Sequence, residues 1–333
     1  MNPTLQQVHS ISEPLTDFSL MMMQSADGFV ADKVFPVLPV THQASTYYTY
    51  PRAAFNRPMV KQRAPGSEVE YADYEIKTAT YETVVYALGK QIDEQIRKNA
   101  DPMINLDVEA TMFLTNQMLL KKELLWASAY FTSTAGWTTT LTGEASAPST
   151  NQFLQWDQTG SNPIVDIRNA ARSMRLASGN VIGSNKNLKL VLGRPVYDAI
   201  LDNAEIVSRI QYSVKQQGEA AVVTKDVLAQ LFEVQEVLVM DAIQNTAAET
   251  LPTDSETNAF IGGNNALLLY VPGTPGLRSP AAGLNFTWSD YGPSRIISYE
   301  WLPTKATRVE AESAYQYQMV SPDLGAFFYN AIG

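Results

Sequence analysis

Residues with the chemistry to act as a site are few, and their spacing narrows what they do. Glu68 with Glu70, and Glu310 with Glu312, stand two apart in stretches of strand pattern, so each pair points to one side, as a two-carboxylate hydrolytic mechanism requires. The same spacing also arises on an ordinary solvated or intersubunit strand face, and that is the reading we adopt. Arg168, Arg172 and Arg175 fall on one stripe of a helix, suited to a phosphate, to a neighbour's acids, or simply to solvent. The two histidines, His9 and His42, have no nucleophile beside them and are too few for a multi-histidine metal site. With no cysteine, disulfides, thiolate zinc sites, iron–sulfur clusters and cysteine nucleophiles are excluded. The phosphate-binding, dinucleotide-binding, serine-elbow and HExxH patterns are absent as well. The sequence therefore calls for no cofactor and no metal, and is read as a non-enzyme.

Charge and composition point the same way. Across 333 residues, 24 basic against 34 acidic side chains leave a net charge of −10, the wrong sign for a chain that grips nucleic acid by its phosphates. At 45% hydrophobic residues the chain can bury a core without external staples. The first 23 residues lack a basic segment and a long apolar run, so no secretory signal is expected and the protein is expected to stay in the cell that makes it. The charge-free stretch 124–143 is too rich in Ser and Thr to cross a membrane.

Along the chain, the first thirty or so residues show no sustained period and read as an arm without a core of its own. The proline-punctuated patch 34–40 suits a sheet edge. From Tyr47 the pattern is a long hairpin, turning through Pro58, Pro65 and Gly66 and returning over 67–88, with no purely apolar face until its end. Its charges are segregated. Arg52, Arg57, Lys61 and Arg63 occupy the outgoing arm and tip, and Glu68, Glu70, Asp73 and Glu75 follow on the return. Tyr47, Tyr48, Tyr50 and Phe55 beside these arginines resemble a stacking platform for single strands, but in a long hairpin they read as interface anchors.

After Asp101-Pro102, residues 106–131 predict one helix roughly 39 Å long, apolar around most of its circumference and so requiring cover on several sides. Residues 132–163, with Trp137 and Trp156, read as a hairpin or loop. An α/β section follows: helices at 166–178 (ended by Gly179), 195–201 and 224–232 (capped by Thr224), and strands at 188–192, 237–240, 266–271 and 284–288. The end, 295–328, returns to strand pattern. An arm, a protruding hairpin and an under-covered helix describe a subunit completed by its neighbours.

That order of parts, with the run LGRPVYDAI at 192–200 continued by EIVSRIQY at 205–212, the step from Phe232-Glu233-Val234 into Glu236-Val237-Leu238-Val239, and the ending VSPDLGAFF at 320–328, resembles the major capsid proteins of tailed double-stranded DNA bacteriophages. The resemblance spans nearly the whole chain and implies an α+β, Hong Kong 97-like capsid fold. Its parts would be an N-terminal arm (1–31), a P-domain edge segment (32–45), an extended E-loop hairpin (46–88), a P-domain section with a long spine helix and connecting loop (89–163), an α/β A-domain (164–290) and P-domain C-terminal strands (291–333). It implies self-association as hexamers and pentamers into an icosahedral head around packaged double-stranded DNA, bound without sequence specificity. Partners implied are a portal, a separate scaffolding protein and a decoration protein, with assembly in the host bacterial cytoplasm and no membrane. Intersubunit contacts would come from the eight hairpin charges, Arg52 through Glu75. Some relatives cross-link a hairpin lysine, and Lys61 lies at the tip. Two alternatives stay open: an encapsulin-type nanocompartment shell, and a carboxylate-dependent hydrolase built on 164–290.

Overall fold

The computed structural model describes residues 24–50, 55–100, 105–183, 185–214, 223–248, 256–274, 276, 279–292 and 294–333. The arm up to residue 23, His9, Arg52 and the Asp101-Pro102 opening lie outside them.

The last part of the expected arm is no arm. Val30 and Ala31 are buried, and a one-turn helix, α1 (Ala31–Val34), carries Val34 and Phe35 fully into the core. The short strand β1 (Val37–Val40) holds Pro39, which has no N–H to give, and β1 sits at a sheet edge in parallel register with residues 285–288. The strands β2 (Ala44–Thr49) and β3 (Lys77–Glu82) then form an antiparallel pair, Ala44 opposite Glu82 and Thr49 opposite Lys77. The sequence predicts a return strand from 67, but pairing begins only at Lys77. Residues 67–76 have no apolar face to bury and stay irregular and exposed, so Glu68 and Glu70 do not share a strand face. At Thr83 the run breaks: this fully buried residue gives both its N–H (2.8 Å) and its Oγ1 (3.0 Å) to the Gln43 carbonyl. Beyond it, β4 (Val84–Asp93) joins another sheet.

A short helix, α2 (Glu94–Asn99), leads to α3 (Leu106–Tyr130), 25 residues long and N-capped by Asn105, whose Oδ1 accepts the Val108 N–H at 3.2 Å. Such a cap contributes about 1 kcal/mol. Along the helix, Leu106, Ala110, Leu114, Met118 and Trp126 are buried, while Val108, Met112 and Phe113 stay 43–46% exposed. The chain covers its long helix on one side and leaves another open.

Residues 132–163 are not a hairpin, because β5 (Thr139–Glu144) and β6 (Gln152–Leu154) pair in parallel. α4 (Pro163–Ala177) starts three residues earlier than the sequence predicts, capped by Asn162 with Pro163 in the first turn, where a missing N–H costs nothing. Next come β7 (Leu188–Gly193), α5 (Arg194–Asp202), α6 (Ala204–Val214) and α7 (Lys225–Leu231), the last capped by Thr224 as its spacing predicts. The strands β8 (Glu236–Met240), β9 (Ile243–Asn245), β10 (Asn258–Phe260), β11 (Ala266–Tyr270), β12 (Gly283–Trp288), β13 (Arg295–Trp301), β14 (Ala306–Met319) and β15 (Gly325–Tyr329) complete the described chain.

Two sheets organise these elements. One runs β6-β5-β15-β11-β7-β8; the other runs β1-β12-β14-β13, with β4 also paired to β14. The six-stranded sheet is apolar on both faces at its centre, with Leu190, Val191, Leu267, Leu268, Phe327 and Phe328 all fully buried. The five-stranded sheet carries α3 against β14 and β4. Two strands exchange sheets relative to expectation. β12, placed by the resemblance at the end of the A-domain, pairs with β1 and β14, and β15, placed as the closing P-domain strand, lies between β5 and β11. Strand pattern is local, whereas the choice of partner is not, so a boundary at 290 was beyond sequence periodicity. Close packing ties the sheets to their surroundings: a Cβ at Gly283 would lie 2.2 Å from the Phe35 ring, and one at Gly325 would lie 2.3 Å from the Trp137 indole.

Candidate assembly surface

The hairpin has a rooted base and a naked tip. At the base, Tyr81 stacks on Phe286 of β12 (centroids 4.6 Å apart, planes 5° from parallel), and Tyr47 meets the same ring at 5.7 Å. With Val40, Ala281 and Leu284 these rings form a small core of their own, and burial pushes the Tyr47 hydroxyl above its ordinary pKa. Each buried ring is worth about 1.5–3 kcal/mol, which holds the base in place. Beyond it, every residue from 55 to 78 is exposed. Among them are Phe55, Met59, Val60 (97% exposed), Val69, Tyr71 (91%), Tyr74 and Ile76. Tyr74 gathers Phe55 (5.5 Å) and Tyr50 (6.1 Å) into a loose aromatic cluster. The turn satisfies itself: Ser67 gives its N–H (3.2 Å) and its Oγ (2.8 Å) to the Ala64 carbonyl, Arg63 Nε donates to the Ser67 carbonyl (2.6 Å), and Gly66 takes φ +83°, where a side chain would be strained.

The segregated charges meet in part within the hairpin itself. Lys61 Nζ lies 2.6 Å from Glu70 Oε1, with both side chains more than half exposed, so this pair is worth about 0–1 kcal/mol. Asp73 accepts the Tyr74 N–H (2.8 Å). Among the described residues no ion pair engages Arg57, Glu68 or Glu75, and these remain available on the surface. Seven large apolar side chains on a segment with no core form the feature that charge spacing alone did not reveal. Val69, Tyr71 and Ile76 were legible only as members of a strand that does not form, and Val60 only as part of the turning middle of the hairpin.

The other candidates resolve into local contacts. Glu310 accepts the Tyr299 hydroxyl (2.6 Å) and Glu312 takes Arg295 Nη2 (2.7 Å), so this pair sits in a cross-strand network between β13 and β14. Arg168 reaches Glu233 (3.4 Å), Arg172 reaches Asn169 (3.3 Å), and Arg175 bonds Asn185. His42 is exposed in the turn before β2. Among the described residues, no three metal-ligating side chains converge, and no helix is long and apolar enough to cross a membrane. Sequence reasoning also passed over Lys122 and Glu123, which lie buried in α3; two adjacent charges on its apolar stripe were the available signal.

No family model matches the chain. A major capsid protein of Pseudomonas phage JBD67 is 26% identical over 310 residues, covering 91% of this chain and 92% of that protein. Among solved structures, a phage-related protein from Bordetella bronchiseptica superposes with a TM-score of 0.68 at 20% identity, over 92% of this chain and 94% of the other. The capsid of the cyanophage P-SCSP1u gives a TM-score of 0.63 at 9% identity over 99% and 98% of the two chains, and the mature capsid of bacteriophage PhiM1 gives 0.57 at 12% over 96% and 91%. A rooted hairpin with a bare tip, a long helix covered on one side, two sheets that exchange strands, and end-to-end likeness to phage shells lead to one assignment: the chain has the Hong Kong 97-like fold of phage major capsid proteins.

Proposed function

We propose that this chain is the structural shell subunit of a phage head, self-assembling as hexamers and pentamers into an icosahedral capsid around double-stranded DNA. The observation that carries the reading is the tip of the hairpin, an unbroken exposed run from 55 to 78 that bears seven large apolar side chains and charges of which Arg57, Glu68 and Glu75 have no ion pair among the described residues. An isolated soluble chain gains nothing from such a segment; a subunit that lays it over a neighbour does. The apolar side chains supply the buried area, and Arg57, Arg63, Glu68 and Glu75 set register more than affinity. Val108, Met112 and Phe113, exposed on α3, offer a second strip for a neighbour to cover. The net charge of −10 suits a wall that does not hold the genome it encloses, so DNA is packaged without sequence-specific binding. A portal and a decoration protein are the further partners of such a shell, and the virion is where the protein resides.

Negative-stain electron microscopy with mass photometry on the purified protein tests this. Closed, uniform shells, or hexamers and pentamers that close when a scaffold is supplied, are the expected result. A monodisperse monomer that never associates under either condition would overturn it.

A further inference from the structure

About two thirds of the way along α3, Lys122 and Glu123 interrupt the buried stripe where the helix meets α1 and the five-stranded sheet. Glu123 is fully buried. Its Oε2 accepts the backbone N–H groups of Val30 (3.0 Å) and Ala31 (2.9 Å), which open the first turn of α1, and its Oε1 is shielded from solvent with no hydrogen-bond partner. Beside it, Asp32 takes Lys122 Nζ (3.1 Å) on one oxygen, and Asn285 Nδ2 (2.8 Å) and the Tyr317 hydroxyl (2.7 Å) on the other. The Lys122 ammonium stands over the Tyr315 ring at 5.2 Å. Four elements, α1, α3, β12 and β14, are thus pinned at one polar knot.

We propose that Glu123 is a proton-operated latch on the strap formed by residues 30–35, seating it firmly when the carboxyl is protonated in mildly acidic medium and loosening it when the carboxyl ionises in mildly alkaline medium. A charge on Glu123 would be shared with an oxygen shielded from solvent and given no hydrogen bond by the described residues, a costly place for it. The facing groups are Asp32 and Lys33 of α1, Lys122 on α3, and Tyr315 and Tyr317 of β14, whose hydroxyls burial keeps neutral. Burial dominates, the two backbone N–H groups oppose it, the Asp32 charge adds to it and Lys33 offsets it, so the carboxyl is pushed up to about 7.

With the strap open, Glu123 is solvated and titrates near its ordinary value of about 4.3. The closed state therefore binds the proton more tightly. Closure is fully favoured below the ordinary value, weakens as pH rises between the two values, and is least favoured above about 7. The opening equilibrium shifts by on the order of a hundredfold across that window. The inference stands apart from the shell reading, because strap and latch lie within one chain.

Hydrogen–deuterium exchange on the full chain, following peptides across 26–36 and corrected for the intrinsic pH dependence of exchange, reads the latch from about pH 5.5 to about pH 8.5. Wild-type protection is expected to fall by tens-fold or more on going up, with a midpoint near neutrality. Glu123→Gln, neutral at every pH, is expected to give a flat profile with protection at the alkaline end no lower than wild type. A flat wild-type profile, or a slope that survives in Glu123→Gln, overturns the proposal. Should that variant fail to fold, Asp32→Asn decides: removing the neighbouring negative charge moves the midpoint to lower pH, and a midpoint that stays or rises overturns it.

Discussion

The central strands of the six-stranded sheet and the tip of the hairpin are both rich in β-branched, aromatic and aliphatic residues, yet they end in opposite states. In β7 and β11 every side chain but Lys189 is buried, whereas from 55 to 78 every residue is exposed. The difference lies in what covers them. Strands β7 and β11 are bracketed by other strands, β8 flanks them at the sheet edge, and α4 and α5 lie on the sheet, so their apolar runs close a core within the chain. The hairpin is rooted at its base, Asn56 lies against Gly179, and every residue from 55 to 78 nevertheless stays exposed. A segment with that much exposed apolar surface and its own turn chemistry is complete as a shape and incomplete as a packing unit, and in the proposed shell a second copy supplies its cover.

Removing the tip is expected to have the greatest effect. Deleting residues 55–66 takes out side chains that are all exposed, so the subunit should unfold within a few degrees of wild type while losing the ability to form stable shells. Electron microscopy and thermal unfolding measured together decide it, and intact shells from the deleted protein would refute the role given to the hairpin. The converse change is Phe327→Ala, in the fully buried strand β15, where the ring packs edge-on to Phe131 at 5.7 Å. The expected cost is about 3–5 kcal/mol of subunit stability, read from urea unfolding, with assembly affected only through loss of folded protein. A cost below about 1 kcal/mol would mean that the sheet is not the close-packed core described.

A smaller effect sharpens the picture of the tip. Reversing Arg57, Lys61 and Arg63 to Glu breaks the Lys61–Glu70 pair, worth about 0–1 kcal/mol at that exposure, so subunit stability should hardly move. Assembly should weaken, most at low salt, because exposed charge pairs are screened beyond about 10 Å at 0.1 M. Light scattering at two ionic strengths measures it. Indifference to both reversal and salt would leave the apolar side chains as the whole of the contact.

Much of this was legible residue by residue. The helix read as 106–131 is observed at Leu106–Tyr130, because it contains neither Gly nor Pro and has Asn105 to cap it. Thr224 caps α7, Gly179 takes a left-handed φ just after α4, and Pro39 sits at an edge, each for a reason contained in one side chain. The failures share a different cause. The run 67–88 carries strand composition throughout but is divided at Thr83, since residues 77–82 find β2, residues 84–93 find β14 and residues 67–76 find no partner. In the candidate site, seven of the eight charges fall within the described hairpin and Arg52 lies outside the described residues, while the pairing of Lys61 with Glu70 and the exposure of Val60 and Tyr71 depend on how the chain turns back.

By itself, then, the sequence determined what local chemistry controls: the long helix and its caps, the apolar strands, the turn at Gly66, the sign of the charge, and the absence of thiol and multi-histidine chemistry. Tertiary structure alone decided which strand joins which sheet, with β12 and β15 exchanging places, which stripe of α3 is covered, and how a carboxyl on that stripe comes to face two backbone N–H groups some ninety residues earlier in the chain. Periodicity records which side chains must be buried. It carries no record of what buries them, because that cover comes from distant segments and, for the tip of the hairpin in the proposed shell, from another molecule.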